Sequence, residues 1–229
     1  MEQLPNGFTM EVPPGAFPLS TDSMLLAHFA RLPRSARVLD LGSGCGTLGL
    51  LLCASDSSCQ VTGIELDPAA HAAALENICR NGVSSRLESI CGDLRQVPSL
   101  FAPGSFHCCI SNPPYFSSGP ASTRFAQARR EDQCSLAQLM ESAGWALKYG
   151  GDLFLVHRPE RLGEIIAQGA ASKLEAKRLC LVRHREGSEV SLILLQLRKG
   201  AKPGLLWEEL TLHQADGTPT DQYCSIYHM

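Results

Sequence analysis

Three glycines fall within five residues between a strand-like run, Ala36–Leu41, and a Leu-rich stretch, Cys45–Ala54: the segment reads Asp40-Leu41-Gly42-Ser43-Gly44-Cys45-Gly46. No other segment restricts the fold as strongly. Glycine lets the backbone turn tightly, and a helix that starts directly after the turn offers unpaired N–H groups to a ligand. A strand that feeds a helix through so short a turn opens a βαβ unit, and hence a parallel sheet.

The rest of the chain continues that alternation. Gln60–Leu66 reads as a second strand, and Asp67-Pro68 then opens a helix from Ala69 to Asn81, since proline suits the first helical turn. Leu87–Cys91 and Phe106–Ser111 read as the third and fourth strands. A Ser/Gly/Pro-rich loop follows from Pro113 to Asp132, and Ser135 caps a helix that ends near Gly150-Gly151. Asp152–His157 is the fifth strand, with a helix over Pro159–Ala171. Glu175–His184 and Glu189–Leu197, joined by a turn-like Arg185–Ser188, form an antiparallel hairpin expected at the sheet edge. Before the first strand there is one helical piece, Ser23–Arg31, and the tail from Ala201 reads as loosely structured, with room for one short strand pair. The expected architecture is one doubly wound α/β domain.

Several function classes drop out on composition. No apolar run approaches the roughly 20 residues of a membrane span, and the opening MEQLPNGFTMEVPPG lacks the basic and apolar regions of a signal peptide. The 10 cysteines form no CxxC pair and have no histidine at zinc-like spacing. They read as reduced thiols of a cytoplasmic protein, with Cys53, Cys79, Cys108, Cys109 and Cys180 among apolar neighbours, and no metal is expected. Net charge is −3, yet residues 121–200 hold 13 Lys/Arg against 9 Asp/Glu while the flanking stretches are acidic. That pattern fits a local anionic partner rather than a general nucleic-acid coat.

Two features carry chemistry. Glu65 stands 19 residues beyond Gly46, at the end of the second strand, where a carboxylate can accept from both hydroxyls of an adenosine ribose. The GxGxG spacing fits a ligand without pyrophosphate better than a dinucleotide; the competing reading is a plain βα turn with a surface acid. The second feature is Asn112-Pro113-Pro114-Tyr115, directly after the fourth strand. Two prolines end the strand, remove N–H groups and leave carbonyls at fixed angles; asparagine adds an acceptor and tyrosine a flat face. The set suits a planar –NH2 group, and ligands of open α/β sheets bind at these carboxyl ends.

Together, DLGSGCG, the acid in GIELD, Gly92-Asp93 and NPPY resemble the class I S-adenosylmethionine-dependent N-methyltransferases. Leu19–Leu26 is similar to the segment that closes over the methionine end of the cofactor in that family, while Ser122–Arg124, Ala128–Glu131 and the ending with Tyr223 and Ile226-Tyr227 are similar to the bacterial tRNA1(Val) adenine-37 N6-methyltransferases. The resemblance implies a Rossmann-like fold with a seven-stranded, mostly parallel sheet and an antiparallel edge hairpin. It divides the chain into residues 1–34, closing over the cofactor site, the methyltransferase domain over 35–200, and a tail over 201–229 packed on that domain. S-adenosyl-L-methionine would be the cofactor and S-adenosyl-L-homocysteine the product. Gly42, Ser43 and Gly44 would meet the methionine moiety, Asp40 supporting the loop and binding the amino group through water, with Thr21 and Asp22 near the amino-acid end. Acids at helix starts are also ordinary caps, a reading open for Asp22 and Asp67. Glu65 would hold the ribose, Leu66 pack on the adenine, and Asp93 with the Leu94 backbone take the adenine edge.

Asn112 and Pro113 would accept from the target amine, with Pro114 stiffening the turn and Tyr115 stacking on a base swung out of its helix. Arg124, Arg129 and Arg130 would meet phosphates, with Lys173, Lys177, Arg178, Arg183 and Arg185 extending the positive stretch. RNA, tRNA first, is the implied partner of a monomeric or weakly dimeric enzyme that engages no membrane. Other substrates are a protein glutamine, as for release-factor methyltransferases, and the N2 amine of guanine in ribosomal RNA; a non-catalytic partner subunit is the reading outside enzymes.

Overall fold

The computed structural model describes residues 1–4, 7–13, 18–113 and 134–227. A short antiparallel pair, β1 (Glu2–Gln3) and β2 (Thr9–Met10), precedes helix α1 (Thr21–Phe29). The α/β alternation then runs β3 (Arg37–Leu41), α2 (Thr47–Ser55), β4 (Gln60–Glu65), α3 (Pro68–Arg80), β5 (Leu87–Cys91), α4 (Val97–Leu100) and β6 (Phe106–Ser111). After it come α5 (Leu136–Ala146), β7 (Leu147–His157), α6 (Leu162–Ala171), β8 (Leu174–Arg185), β9 (Val190–Lys199), β10 (Leu206–His213) and α7 (Asp221–Tyr227).

Eight of these strands make one sheet in the order β10-β8-β9-β7-β6-β3-β4-β5. The five from β5 to β7 are parallel, β9 runs antiparallel between β7 and β8, and β10 lies parallel to β8. The Rossmann-like arrangement is the expected one, with eight strands in place of seven. The extra strand is β10, so the β8–β9 hairpin does not form the sheet edge and the tail is not loose. Its sequence hides this because β10 buries little beyond Leu212, and a strand wet on its outer side needs no apolar alternation.

Helices cover both faces. One core joins α1, α2, Ile78 of α3 and Ile226 of α7 to the sheet, and the other joins α4, α5 and α6. The caps follow from sequence: Ser20 accepts from the Ser23 N–H, Asp67 from the Ala69 N–H with Pro68 in the first turn, and Ser135 and Gln138 form a reciprocal capping box. Helix α5 ends at Ala146, short of Gly150-Gly151. Pairing between β6 and β7 jumps from Phe106↔Leu147 to Cys108↔Asp152, so Lys148–Gly151 bulge out of β7. Gly150 takes φ +77°, and a Cβ on Gly151 would lie 2.8 Å from the His107 carbonyl oxygen, so these glycines serve the bulge instead of a helix end.

All 10 cysteines are free; Cys53, Cys108, Cys109 and Cys180 are buried as expected, but Cys79 is exposed on the outer side of α3. No helix among the described residues is long and apolar enough to cross a membrane.

Candidate functional site

The parallel strands end on one edge of the sheet, and the residues singled out in sequence gather along it. Beyond β3, Gly42, Gly44 and Gly46 take φ of 77°, 55° and 85°, conformations that cost other residues energy. The N–H groups of Gly42 and Ser43 donate to the Ile64 carbonyl at 3.0 and 3.1 Å, which folds the loop over the end of β4. Among the described residues nothing lies within 4 Å of the positions a Cβ would take on Gly42 and Gly44, so the loop leaves space beside its backbone there.

Glu65 closes the turn from the neighbouring strand. Its carboxylate accepts from the Gly44 N–H and the Asp67 N–H, each at 2.8 Å. A carboxylate has about four acceptor positions, so these two N–H groups leave it capacity to accept from further hydroxyl donors. Leu66, next in the chain, is exposed.

Asp40 lies in the middle of the sheet, opposite Gly63 on β4 and Ile110 on β6, and is fully buried. Neither of its oxygens makes a close, well-aligned hydrogen bond among the described residues, although the Gly49 backbone N–H lies near enough to act on it. Burial, and next the negative charge of Glu65, push its pKa up to about 8, with the Gly49 N–H pulling weakly the other way. Ser43 Oγ is likewise buried and unpartnered among the described residues. It fits there because residue 63 is glycine: a Cβ at Gly63 would come within 2.6 Å of that oxygen. A buried carboxyl can accept from an ammonium and a buried hydroxyl can donate to a carboxylate, so this pair beside the glycine cradle fits the amino-acid end that S-adenosylmethionine carries.

Asp93 caps the short 3-10 turn Leu94–Gln96 and is more engaged than the sequence implied. It accepts from the Arg95 N–H at 2.9 Å and Arg95 Nε at 2.8 Å, and also pairs with Arg95 Nη2. Those hydrogen bonds hold its carboxyl below the usual range. The Leu94 carbonyl accepts from Ser142 Oγ at 3.0 Å, which ties the turn to α5.

At the end of β6, Ser111 Oγ donates to the Leu41 carbonyl at 2.7 Å. Backbone pairing of β3 with β6 stops at Asp40↔Ile110, so this side chain carries the connection one step further, to the lip of the glycine loop. Asn112 follows, and its Nδ2 donates to Ser23 Oγ of α1 at 3.1 Å. Ser20, not Asp22, caps α1, so Thr21 and Asp22 sit in its first turn; Tyr227 of α7 reaches Thr21. Asp67 is a cap.

Pro114, Tyr115, Arg124, Arg129 and Arg130 lie outside the described residues. The remaining basic residues do not form one patch. Strand β8 spans roughly 35 Å from end to end, with Lys173 and Lys177 near its start, on the edge away from the site, and Arg183 and Arg185 near its finish. Arg178 packs its guanidinium 4.2 Å from the Phe29 ring centre and pairs with Glu208 at 2.9 Å, which makes it a structural residue. No group of three or more His, Cys, Asp or Glu is placed to hold a metal among the described residues.

Sequence reasoning passed over Gly63, Ser111, Arg95 and Ser23 as site residues. A glycine inside a strand is a recognised sign of close approach, so Gly63 could have been found. Ser111 and Ser23 act on partners 70 and 89 residues away, and nothing local marks them.

The family described as Methyltransferase small domain matches residues 19–168. A tRNA1(Val) (adenine(37)-N6)-methyltransferase of Photobacterium profundum is 32% identical over 204 residues, covering 86% of this chain and 84% of that protein. Among solved structures, a "predicted O-methyltransferase" from Agrobacterium tumefaciens superposes with a TM-score of 0.77 at 24% identity, covering 91% of this chain and 96% of that one. The geranyl diphosphate C-methyltransferase of Streptomyces coelicolor, solved with S-adenosyl-L-homocysteine, gives a TM-score of 0.59 at 12% identity, over 77% of this chain and 79% of that one. With the glycine loop, its partner acid and the strand order all in agreement, the chain belongs to the class I S-adenosylmethionine-dependent methyltransferases, in the methyltransferase small domain family.

Proposed function

We propose that the protein transfers a methyl group from S-adenosyl-L-methionine to the exocyclic N6 amine of an adenine in RNA, with tRNA as the first candidate and position 37 of a tRNA1(Val)-type substrate as the target. The observation that carries this reading is the joint between Ser111 and Leu41, which sets Asn112 against the lip of the glycine loop. A methyl donor held in the loop and an amine held by Asn112 would then meet. The choice of an RNA adenine rests on the relative from Photobacterium profundum.

When bound, the cofactor supplies a methyl group activated on a sulfonium. Asp40 and Ser43 receive its amino-acid end, and residues 1–34 close over it, with Thr21 and Asp22 beside that end. Glu65 holds the ribose, Leu66 packs on the adenine, and Asp93 with the Leu94 backbone meets the adenine edge once Arg95 shares its carboxylate. The lone pair of a ring-conjugated amine is delocalised and poorly nucleophilic. Asn112 Oδ1 and the Pro113 carbonyl accept its two N–H bonds and favour the pyramidal nitrogen needed for attack. Both bonds tighten as positive charge grows on nitrogen, which stabilises the transition state more than the ground state. No strong base is required, because the alkylated nitrogen is acidic and sheds its proton to water. Tyr115 stacks on the extruded base, and Arg124, Arg129 and Arg130 meet phosphates of its strand.

The test is tritiated methyl transfer to undermethylated bulk tRNA, ribosomal RNA and a release-factor protein in parallel. Label recovered as N6-methyladenosine from tRNA is the expected result. Asn112→Ala should lower transfer more than ~100-fold while S-adenosylmethionine affinity stays within about twofold. Label in protein alone would overturn the RNA reading.

A further inference from the structure

An asparagine can accept from a target amine only through Oδ1. The two ends of its amide are nearly identical in shape, so hydrogen-bond partners alone decide which end faces the substrate. For Asn112 the Nδ2 end faces α1, where it donates to Ser23 Oγ at 3.1 Å. Ser23 is buried. Its hydroxyl lies 3.3 Å from Ser20 Oγ, and Ser20 Oγ also accepts the Ser23 backbone N–H at 3.3 Å. A hydroxyl has one proton and two lone pairs, so whichever serine donates in the Ser20–Ser23 contact, Ser23 Oγ keeps a lone pair that can accept from Asn112 Nδ2. A lone pair attracts the NH2 end of an amide and repels the carbonyl end. The backbone of the same segment is fixed independently, through Ser111 and Leu41.

Building on the methyl-transfer reading above, we infer that Ser23 is a positioning residue for transfer: it holds the Asn112 amide with NH2 toward α1 and the carbonyl toward the incoming amine. Ser23 works through Asn112 and contributes orientation, not chemistry. One turn of α1 therefore carries both the residues proposed to line the cofactor, Thr21 and Asp22, and the residue that aims the acceptor. Seating of that turn readies both halves of the reaction together.

Ser23→Ala, with Ser23→Thr as the conservative partner, tests this. Alanine suits a helix, so folding and cofactor affinity should persist, while the single-turnover rate at saturating S-adenosylmethionine falls about tenfold. Threonine keeps the hydroxyl and should restore most of that rate. In 15N-labelled protein the Asn112 side-chain NH2 protons should exchange with solvent several-fold faster in Ser23→Ala than in wild type. An unchanged rate, a loss that threonine does not restore, or a loss matched by weaker cofactor binding would overturn the inference, because Ser23 would then merely pack α1. A wild-type enzyme that forms no N6-methyladenosine in RNA would sink the substrate reading alone. The amide exchange needs no acceptor and still decides the contact.

Discussion

Replacing Asp40 by asparagine tests the electrostatics of the site without any substrate. The carboxyl is fully buried, makes no close, well-aligned hydrogen bond among the described residues, and is pushed up to about 8 in the folded protein from the usual 3.8 of an aspartate. Between those values the native state binds a proton that the unfolded chain has lost, so stability must fall as pH rises, by about 1.4 kcal/mol per unit. From pH 5 to pH 8 the ceiling is roughly 4 kcal/mol. Water entry and an effective dielectric nearer 20 than 4 bring the expected figure to about 2 kcal/mol. Asparagine keeps the shape and does not titrate; its own buried NH2 adds an offset independent of pH. Urea unfolding of both proteins at unit pH intervals, without cofactor, reads the effect as the difference in unfolding free energy. That difference should shift toward the variant by about 2 kcal/mol between pH 5 and pH 8. A difference that stays flat within about 0.5 kcal/mol would mean the carboxyl is hydrated or paired in the native protein, and the match to a cofactor ammonium would lose its main support.

Gly63→Ala should push Ser43 out of its place and weaken S-adenosylmethionine binding about tenfold by calorimetry, with the fold retained by circular dichroism, since the intruding methyl meets a side chain and not backbone. His157, buried at the end of β7, accepts from the Arg158 N–H at 2.8 Å and is held neutral, down to about 4, by burial first and the Arg161 charge second. A depressed histidine destabilises the fold as pH falls from about 6.5 toward 4, so His157→Phe should remove about 1–2 kcal/mol of acid sensitivity in urea midpoints over that window.

Strands β5 and β6 fall where the sequence marks them, and β3 and β4 within a residue at one end. The central parallel strands β3, β4 and β6 read as near-continuous apolar runs because both faces are covered. β7 begins earlier than its apolar run because four mostly polar or glycine residues leave the ladder as a bulge, and no local rule distinguishes such a bulge from a helix end. β10 escaped notice because it pairs with a strand that β9 separates from it in sequence, a contact made by topology. The same distinction divides the site. The glycine loop and Glu65 are legible because turn geometry and strand spacing are local requirements. Ser111 and Ser23 are ordinary serines until the sheet brings Leu41 and Asn112 to them.

Near the N-terminus, Asn77 of α3 and Asn81, the residue capping its C-terminal end, behave as if they were a strand. Asn81 exchanges hydrogen bonds with the N–H and carbonyl of Thr9 at 2.9 and 2.7 Å, and Asn77 does the same with Glu11 at 2.8 and 2.9 Å. Four residues of helix rise about 6 Å and two residues of extended chain about 6.7 Å, so the two scales engage like a vernier at one setting. Met10, between the paired residues, is sealed in the core and accepts from Thr47 Oγ1 at 3.3 Å. This mesh counts residues. An extension ahead of Thr9 leaves it untouched, whereas one amino acid inserted beside Met10 would carry Thr9 or Glu11 off its asparagine and turn the methionine outward. The opening segment can thus vary freely in composition at its exposed positions, but its length between the two clasps is set by the pitch of a helix formed some sixty residues later.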